Sequence, residues 1–216
     1  MYLLNKNYVQ HKSGKADLFM DFFEKIIEAD GNFLLWIQEN VRTPMLNNIF
    51  SFITSLGNSG MVWIVIALFL LIQKKTRKIG IMCILGLVLS VLINNEILKN
   101  IVCRPRPFNA IHGLTSLAFP KDFSFPSGHT GSSFAAAIII FRNLPKKLGI
   151  PSLVLAFMIA VSRLYIGVHY PTDVICGVIT GAVCAFLAEF IVNTIAKKLT
   201  QRISANSDFS DKSCQK

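Results

Sequence analysis

Of 216 residues, 52% are hydrophobic and only 16% are charged, whereas a typical soluble domain carries about 25% charge. The apolar residues lie in long runs that a single small soluble core could not absorb, so the composition excludes an ordinary soluble domain. The net charge of +10 would suit a nucleic-acid binder, but Lys and Arg fall in short clusters between apolar runs, the pattern of topology signals and anionic-lipid contacts.

The first thirty residues hold no short apolar core followed by a small-residue cleavage site, so no removable signal peptide is expected. In residues 17–57, Phe33-Leu34-Leu35-Trp36-Ile37 is cut off from Ile49-Phe50-Ser51-Phe52-Ile53 by the polar run Gln38 to Pro44. Neither piece spans alone; both suit amphipathic helices at the membrane interface with Trp36 as anchor, and a crossing here is the alternative. Residues 58–73 form a short span ending at Lys74-Lys75-Thr76-Arg77-Lys78. Further spans are predicted at 79–98, at 127–142 with its preceding loop, at 149–168 and at 174–196, each near the roughly 20 residues a bilayer needs. The expected fold is an all-α polytopic membrane helix bundle with five to six transmembrane helices. An interfacial segment (1–57) precedes the membrane domain (58–200), and a polar tail (201–216) reads as disordered and cytoplasmic.

Small residues at helical spacing, Gly131, Ser132, Ala135 and Ala136 in one span, Gly177 and Gly181 in another, predict close helix packing. The five cysteines, odd in number and without paired spacing, imply neither a disulfide framework nor a zinc site. The clusters at 74–78, 142–147 and 197–202 share one side if the spans alternate, and the positive-inside rule makes that side cytoplasmic. Lys99, Arg104, Arg106 and Lys121 fall on the opposite side, against the rule, which suggests a chemical task for them.

Three polar clusters lie at that outer side. Lys99 to Pro107 gathers cations where a helix leaves the membrane, suited to phosphate or simply to snorkelling at the headgroups. Pro126-Ser127-Gly128-His129 opens a helix, leaving N–H groups aimed outward at the positive dipole end; His129 there is a proton donor or an interfacial cap. Ser162-Arg163, His169 and Asp173 form the third, in which the carboxylate four residues on can hold one imidazole nitrogen and free the other to attack, or simply cap its helix. Thr172 or Tyr170 can also cap that helix. Arg163 lies deep enough in its span to mark a functional site by cost alone.

The patterns K-x6-R-P (Lys99 to Pro107), P-S-G-H (126–129) and S-R-x5-H-x3-D (Ser162 to Asp173) resemble, in order and spacing, the type 2 phosphatidic acid phosphatase family. The resemblance covers about 58 to 196. It implies His169 as nucleophile, Asp173 as its orienting carboxylate and His129 as general acid. Lys99, Arg106 and Arg163, with Ser127 and the Gly128 backbone, would cradle the transferring phosphoryl group. It implies a multi-pass cell-membrane phosphatase that hydrolyses a lipid phosphate or diphosphate through a phosphohistidine. The short N-terminal segment resembles that of undecaprenyl diphosphatases, with phosphatidylglycerol phosphate and phosphatidic acid as other candidate substrates. Expected partners are substrate and membrane lipids, with no nucleic acid, cofactor or metal; fixed cations and helix N–H groups suffice for phosphoryl transfer.

Glu189 reads as a neutral or cation-paired structural glutamate, Glu96 as an ion-pair partner of Lys99, and His112 as solvated or lipid-facing. Arg104 would touch a second phosphate. An anionic-lipid transporter is the rival class, but its charges would sit near the midplane and often accompany inverted repeats. A silent lipid-binding relative would have no need of His129, His169 and Asp173 together.

Overall fold

The computed structural model describes residues 14–213, and every regular element among them is helical. In chain order these are α1 (Gly14–Asn40), α2 (Pro44–Leu56), a 3-10 turn (Asn58–Gly60), α3 (Met61–Ile72) and α4 (Arg77–Ser90). A π-helical stretch (Val91–Leu98), α5 (Lys99–Val102) and α6 (Pro107–Ala110) follow, then α7 (Gly128–Asn143), α8 (Lys146–Tyr165) and α9 (Pro171–Ser213). Arg77–Ala110, Lys146–Tyr165 and Pro171–Arg202 are long and apolar enough to cross a membrane.

The stretch expected to span at 58–73 falls short of a crossing length by itself; it meets α2 at 45°, and the two together are long and apolar enough for one broken span or a re-entrant loop. The reason is local. Thr43 accepts a hydrogen bond from the Leu46 N–H and Pro44 occupies the first turn, so a helix starts there. It then breaks at Gly57 to Gly60, where Ser59 and Gly60 hold φ of 51° and 67°; only glycine adopts this region freely. The interfacial segment expected over 17–57 is thus divided, α2 joining α3 and α1 standing apart. Leu34 and Ile37 on α1 are buried, Leu34 beside Leu114 and Tyr170, Ile37 beside Tyr165 and Ile166.

Helix α7 is the centre of the bundle, packed on α4, α8 and α9. Ser133, Ala135, Ala136, Ala137 and Ile139 on it are fully buried. The predicted small-residue contact is real: a Cβ on Gly181 would stand 2.6 Å from the Gly131 carbonyl oxygen, so α7 and α9 touch through backbone. Trp63 of α3 is wholly buried and donates its indole N–H to Ser133 at 2.9 Å, satisfying its polar atom inside the core. Glu189 pairs with Arg142 at 2.9 Å and accepts from Asn143 at 2.6 Å, the cation-paired structural role expected of it.

Helix continues to Ser213, past Arg202 where composition suggests a disordered tail; adding a residue to an existing helix needs no new nucleus. Because α4, α7, α8 and α9 alternate in direction, their connections place Lys99, Gly128, Arg163 and His169 at one end. Lys74 to Arg77, Arg142 and Lys146 lie at the other.

Candidate active site

At that end a cavity of about 650 Å³ is lined by Lys99, Arg106, Gly128, His129, Arg163 and His169, together with Asp122. The motif residues thus meet in space. The cavity has a second character: Ile64 of α3 and Ile84, Leu87, Val88, Val91 and Leu92 from α4 and its π-helical extension line its other arm. A polar head and an apolar body share one volume.

His169 lies on the loop between α8 and α9, 1% exposed. Its Nδ1 faces Asp173 Oδ2 at 3.4 Å and its Nε2 faces Arg106 Nη1 at 3.0 Å. With the proton on Nδ1 toward the carboxylate, the Nε2 lone pair faces the cavity side and accepts the Arg106 N–H. Burial is the main cause holding the imidazole well below its usual range, at about 3; the bond with Asp173 pulls it up, and Arg106 and Arg163 push it down. The ring is therefore neutral at neutral pH.

Asp173, in the first turn of α9, is fully buried. Its Oδ1 accepts from Arg104 at 2.7 Å. Its Oδ2 accepts from the Ser124 hydroxyl, from the Tyr170 N–H at 3.0 Å and from the imidazole, and the crowding accounts for the longer histidine contact. Asp173 itself therefore caps α9. Of the two residues expected there, Tyr170 offers only its backbone N–H, while the Thr172 hydroxyl bonds to Asp30 and accepts from Arg104.

His129 stands in the first turn of α7, its Nε2 3.0 Å from Asn58 Oδ1. Ser127 is the N-cap: fully buried, it accepts from the Thr130 hydroxyl at 2.9 Å and supplies structure beneath the cavity wall formed by Gly128 and His129. Arg163 Nη1 donates to Thr54 of α2 at 2.5 Å, while its buried Nε has no partner among the described residues.

Two expectations change. Lys99 bonds to Asp122 and not to Glu96, because the loop before α7 brings Asp122 between Lys99 and Arg106, whose Nη2 donates to it at 2.6 Å. Burial alone would raise the Asp122 carboxyl, but the Lys99 hydrogen bond and the Arg106 charge hold it at about 2, so it is ionised. Arg104 does not reach for a second phosphate; it binds Asp30 and Asp173 and lies over the Tyr170 ring, 3.6 Å from its centroid. Asp122, Asp30, Ser124, Asn58 and Thr54 are the partners that sequence reasoning missed. Only Asp122 left a signal, as the sole acidic residue between Glu96 and Asp173.

Three cations against one carboxylate leave two positive charges facing the cavity. Among the described residues, no group of three or more His, Cys, Asp or Glu is placed to hold a metal ion.

Known proteins resemble this chain in sequence and in fold. The profile of the PAP2 superfamily matches residues 79–197. An undecaprenyl-diphosphatase of Sulfolobus acidocaldarius is 36% identical over 163 residues, 74% of this chain and 78% of its own. The undecaprenyl-diphosphatase BcrC of Bacillus subtilis is 33% identical over 148 residues, 66% of this chain and 73% of its own. A solved transmembrane PAP2-type phosphatidylglycerolphosphate phosphatase from Bacillus subtilis superposes with a TM-score of 0.66 at 27% identity, covering 83% of this chain and 96% of the other. On this profile match, these identities and this superposition, the chain belongs to the PAP2 superfamily as a membrane lipid phosphatase.

Proposed function

We propose that the chain hydrolyses undecaprenyl diphosphate to undecaprenyl phosphate, through a phosphohistidine at His169, on the extracytoplasmic face of the cell membrane. The observation that carries the reading is the single cavity with the His169–Asp173 pair and three cations at one end and six aliphatic side chains at the other. Such a volume suits a phosphorylated lipid far better than a soluble phosphate ester. The diphosphate is preferred because the two undecaprenyl-diphosphatases above share a third of their aligned residues with this chain. Phosphatidylglycerol phosphate is the second reading, favoured by the Bacillus subtilis structure.

In the first step His169 Nε2 forms a bond to the terminal phosphorus as the bond from phosphorus to the bridging oxygen breaks. The electron pair leaves with that oxygen, which takes a proton from the His129 imidazolium and leaves His129 neutral for the second step. Lys99, Arg106, Arg163 and the Gly128 N–H neutralise the equatorial oxygens. The imidazole, now cationic, keeps its Nδ1 proton against Asp173. Water, deprotonated by His129, then attacks phosphorus, releasing orthophosphate and restoring neutral His169. The extracytoplasmic placement follows from the basic clusters at the far end of the bundle.

Phosphate release in detergent over undecaprenyl diphosphate, phosphatidylglycerol phosphate and phosphatidic acid tests the substrate. The diphosphate should give the highest kcat/KM; a tenfold preference for either other lipid would overturn it. Rapid quench with substrate labelled in the terminal phosphate should trap acid-labile, base-stable label on His169.

A further inference from the structure

The geometry points to a catalytic contribution from α1: Asp30 is a positioning residue that acts through Arg104 on Asp173, and so on the His169 imidazole. This rests on the proposal that His169 is the nucleophile. Asp30 lies outside residues 79–197, the stretch that the family profile matches. It is 4% exposed, whereas Asp21, Glu24, Glu28 and Glu39 of the same helix are exposed. A carboxylate buried alone on an amphipathic helix is costly unless a cation meets it, and Arg104 does so, Nη2 donating to Asp30 Oδ2 at 2.8 Å. The other end of the guanidinium, Nη1, donates to Asp173 Oδ1 at 2.7 Å and to the Thr172 hydroxyl oxygen at 2.7 Å. Asp30 Oδ1 accepts from the Thr172 N–H at 3.1 Å, fixing it to the start of α9.

Two carboxylates thus share one guanidinium behind the imidazole. When His169 bonds to phosphorus its ring gains a positive charge, which Asp173 must stabilise. Arg104 paired with Asp173 alone would spend much of that negative charge. Asp30 takes up half of the fork, so the group of three presents one net negative charge to His169. It also fixes the plane of the guanidinium, and with it the Asp173 carboxylate.

The test is Asp30→Asn in the full chain, purified in detergent, with its melting temperature compared with wild type. Loss of the outer partner of a metal-ligating side chain costs about 10–100-fold in activity; Asp30 stands in the same relation to the orienting carboxylate, so kcat should fall by that order with KM within twofold. In an Arg104→Gln background the same change should have a much smaller effect, because the route through the guanidinium is gone and only the Thr172 contact remains. Unchanged kcat in Asp30→Asn, an equal loss in both backgrounds, or a rise in KM alone overturns the inference. If Asp30→Asn does not fold, Asp30→Glu decides, since it keeps the charge but shifts the carboxylate by a methylene: a fall in kcat at constant KM supports the inference, and an unchanged kcat or a rise in KM alone refutes it. His169→Ala separates the two levels. Activity surviving that change sinks the nucleophile assignment, whereas an inert His169→Ala beside a fully active Asp30→Asn sinks only the role of α1.

Discussion

Asp122→Asn should tighten inhibition by vanadate and orthophosphate. The Asp122 carboxylate lies between Lys99 and Arg106, two of the cations a bound phosphoryl group would use, so any anion entering the site must compete with it. A charge-assisted hydrogen bond contributes about 1.5–3 kcal/mol when buried. Asp122 is 53% exposed at its side chain, and solvent screening brings the two contacts together to roughly 1–2 kcal/mol. Removing that competition corresponds to inhibition constants about 5- to 30-fold lower. Because the carboxyl sits at about 2 in the folded chain, below its unfolded value, its ion pairs are complete above the unfolded value. They are lost only as pH falls through about 2. The ratio of variant to wild-type inhibition constants should therefore stay flat from about pH 5 to 9. Steady-state phosphate release against inhibitor concentration measures it. An inhibition constant that is unchanged or higher in the variant would mean that Asp122 orders the cations and does not compete for them.

Among the remaining predictions, His169→Ala should lose more than about a hundredfold in rate, beyond what removing an auxiliary acid or base costs, and His129→Ala should still bind vanadate while losing turnover. In a cysteine-free background, an impermeant thiol reagent on intact cells should label Lys121→Cys and leave Lys75→Cys unlabelled; the reverse would move the site to the cytoplasm. Gly181→Ala places a methyl group against the Gly131 carbonyl, a clash of about 1–3 kcal/mol. It should lower the melting temperature in detergent, and an unchanged value would mean that α7 and α9 are looser than described.

Much of the site was legible because its residues sit where apolar runs end, and alternating spans bring those ends together. Cost made them visible: Arg163 in a span and Lys99 and Arg106 against the positive-inside rule need explaining wherever they point. Asp30 and Asn58 carried no such mark. Asp30 stands among several acids on a helix that sequence alone reads as interfacial, and Asn58 lies within a helix break that the hydropathy of 58–73 conceals. Spacing within one element survives in sequence, as His169 and Asp173 show. Partnerships between elements, such as Lys99 with Asp122 in place of Glu96, depend on how a loop folds back.

The central helix is also shorter than the α8 helix that follows it. At about 1.5 Å per residue, the 16 residues of α7 rise only about 24 Å, while the 20 residues of α8 rise about 30 Å, the thickness of a typical hydrocarbon layer. If Arg142 marks one boundary of the hydrocarbon layer, His129, 13 residues away along α7, rises about 20 Å and stops roughly 10 Å short of the other, beneath the plane where lipid phosphates ordinarily rest. The substrate headgroup must therefore sink, or the bilayer must pucker, before phosphorus meets the imidazole. Membrane thickness becomes a determinant of rate: in proteoliposomes of lengthening acyl chains turnover should decline while detergent activity stays constant, and a rate indifferent to chain length would show that the site lies level with the headgroups.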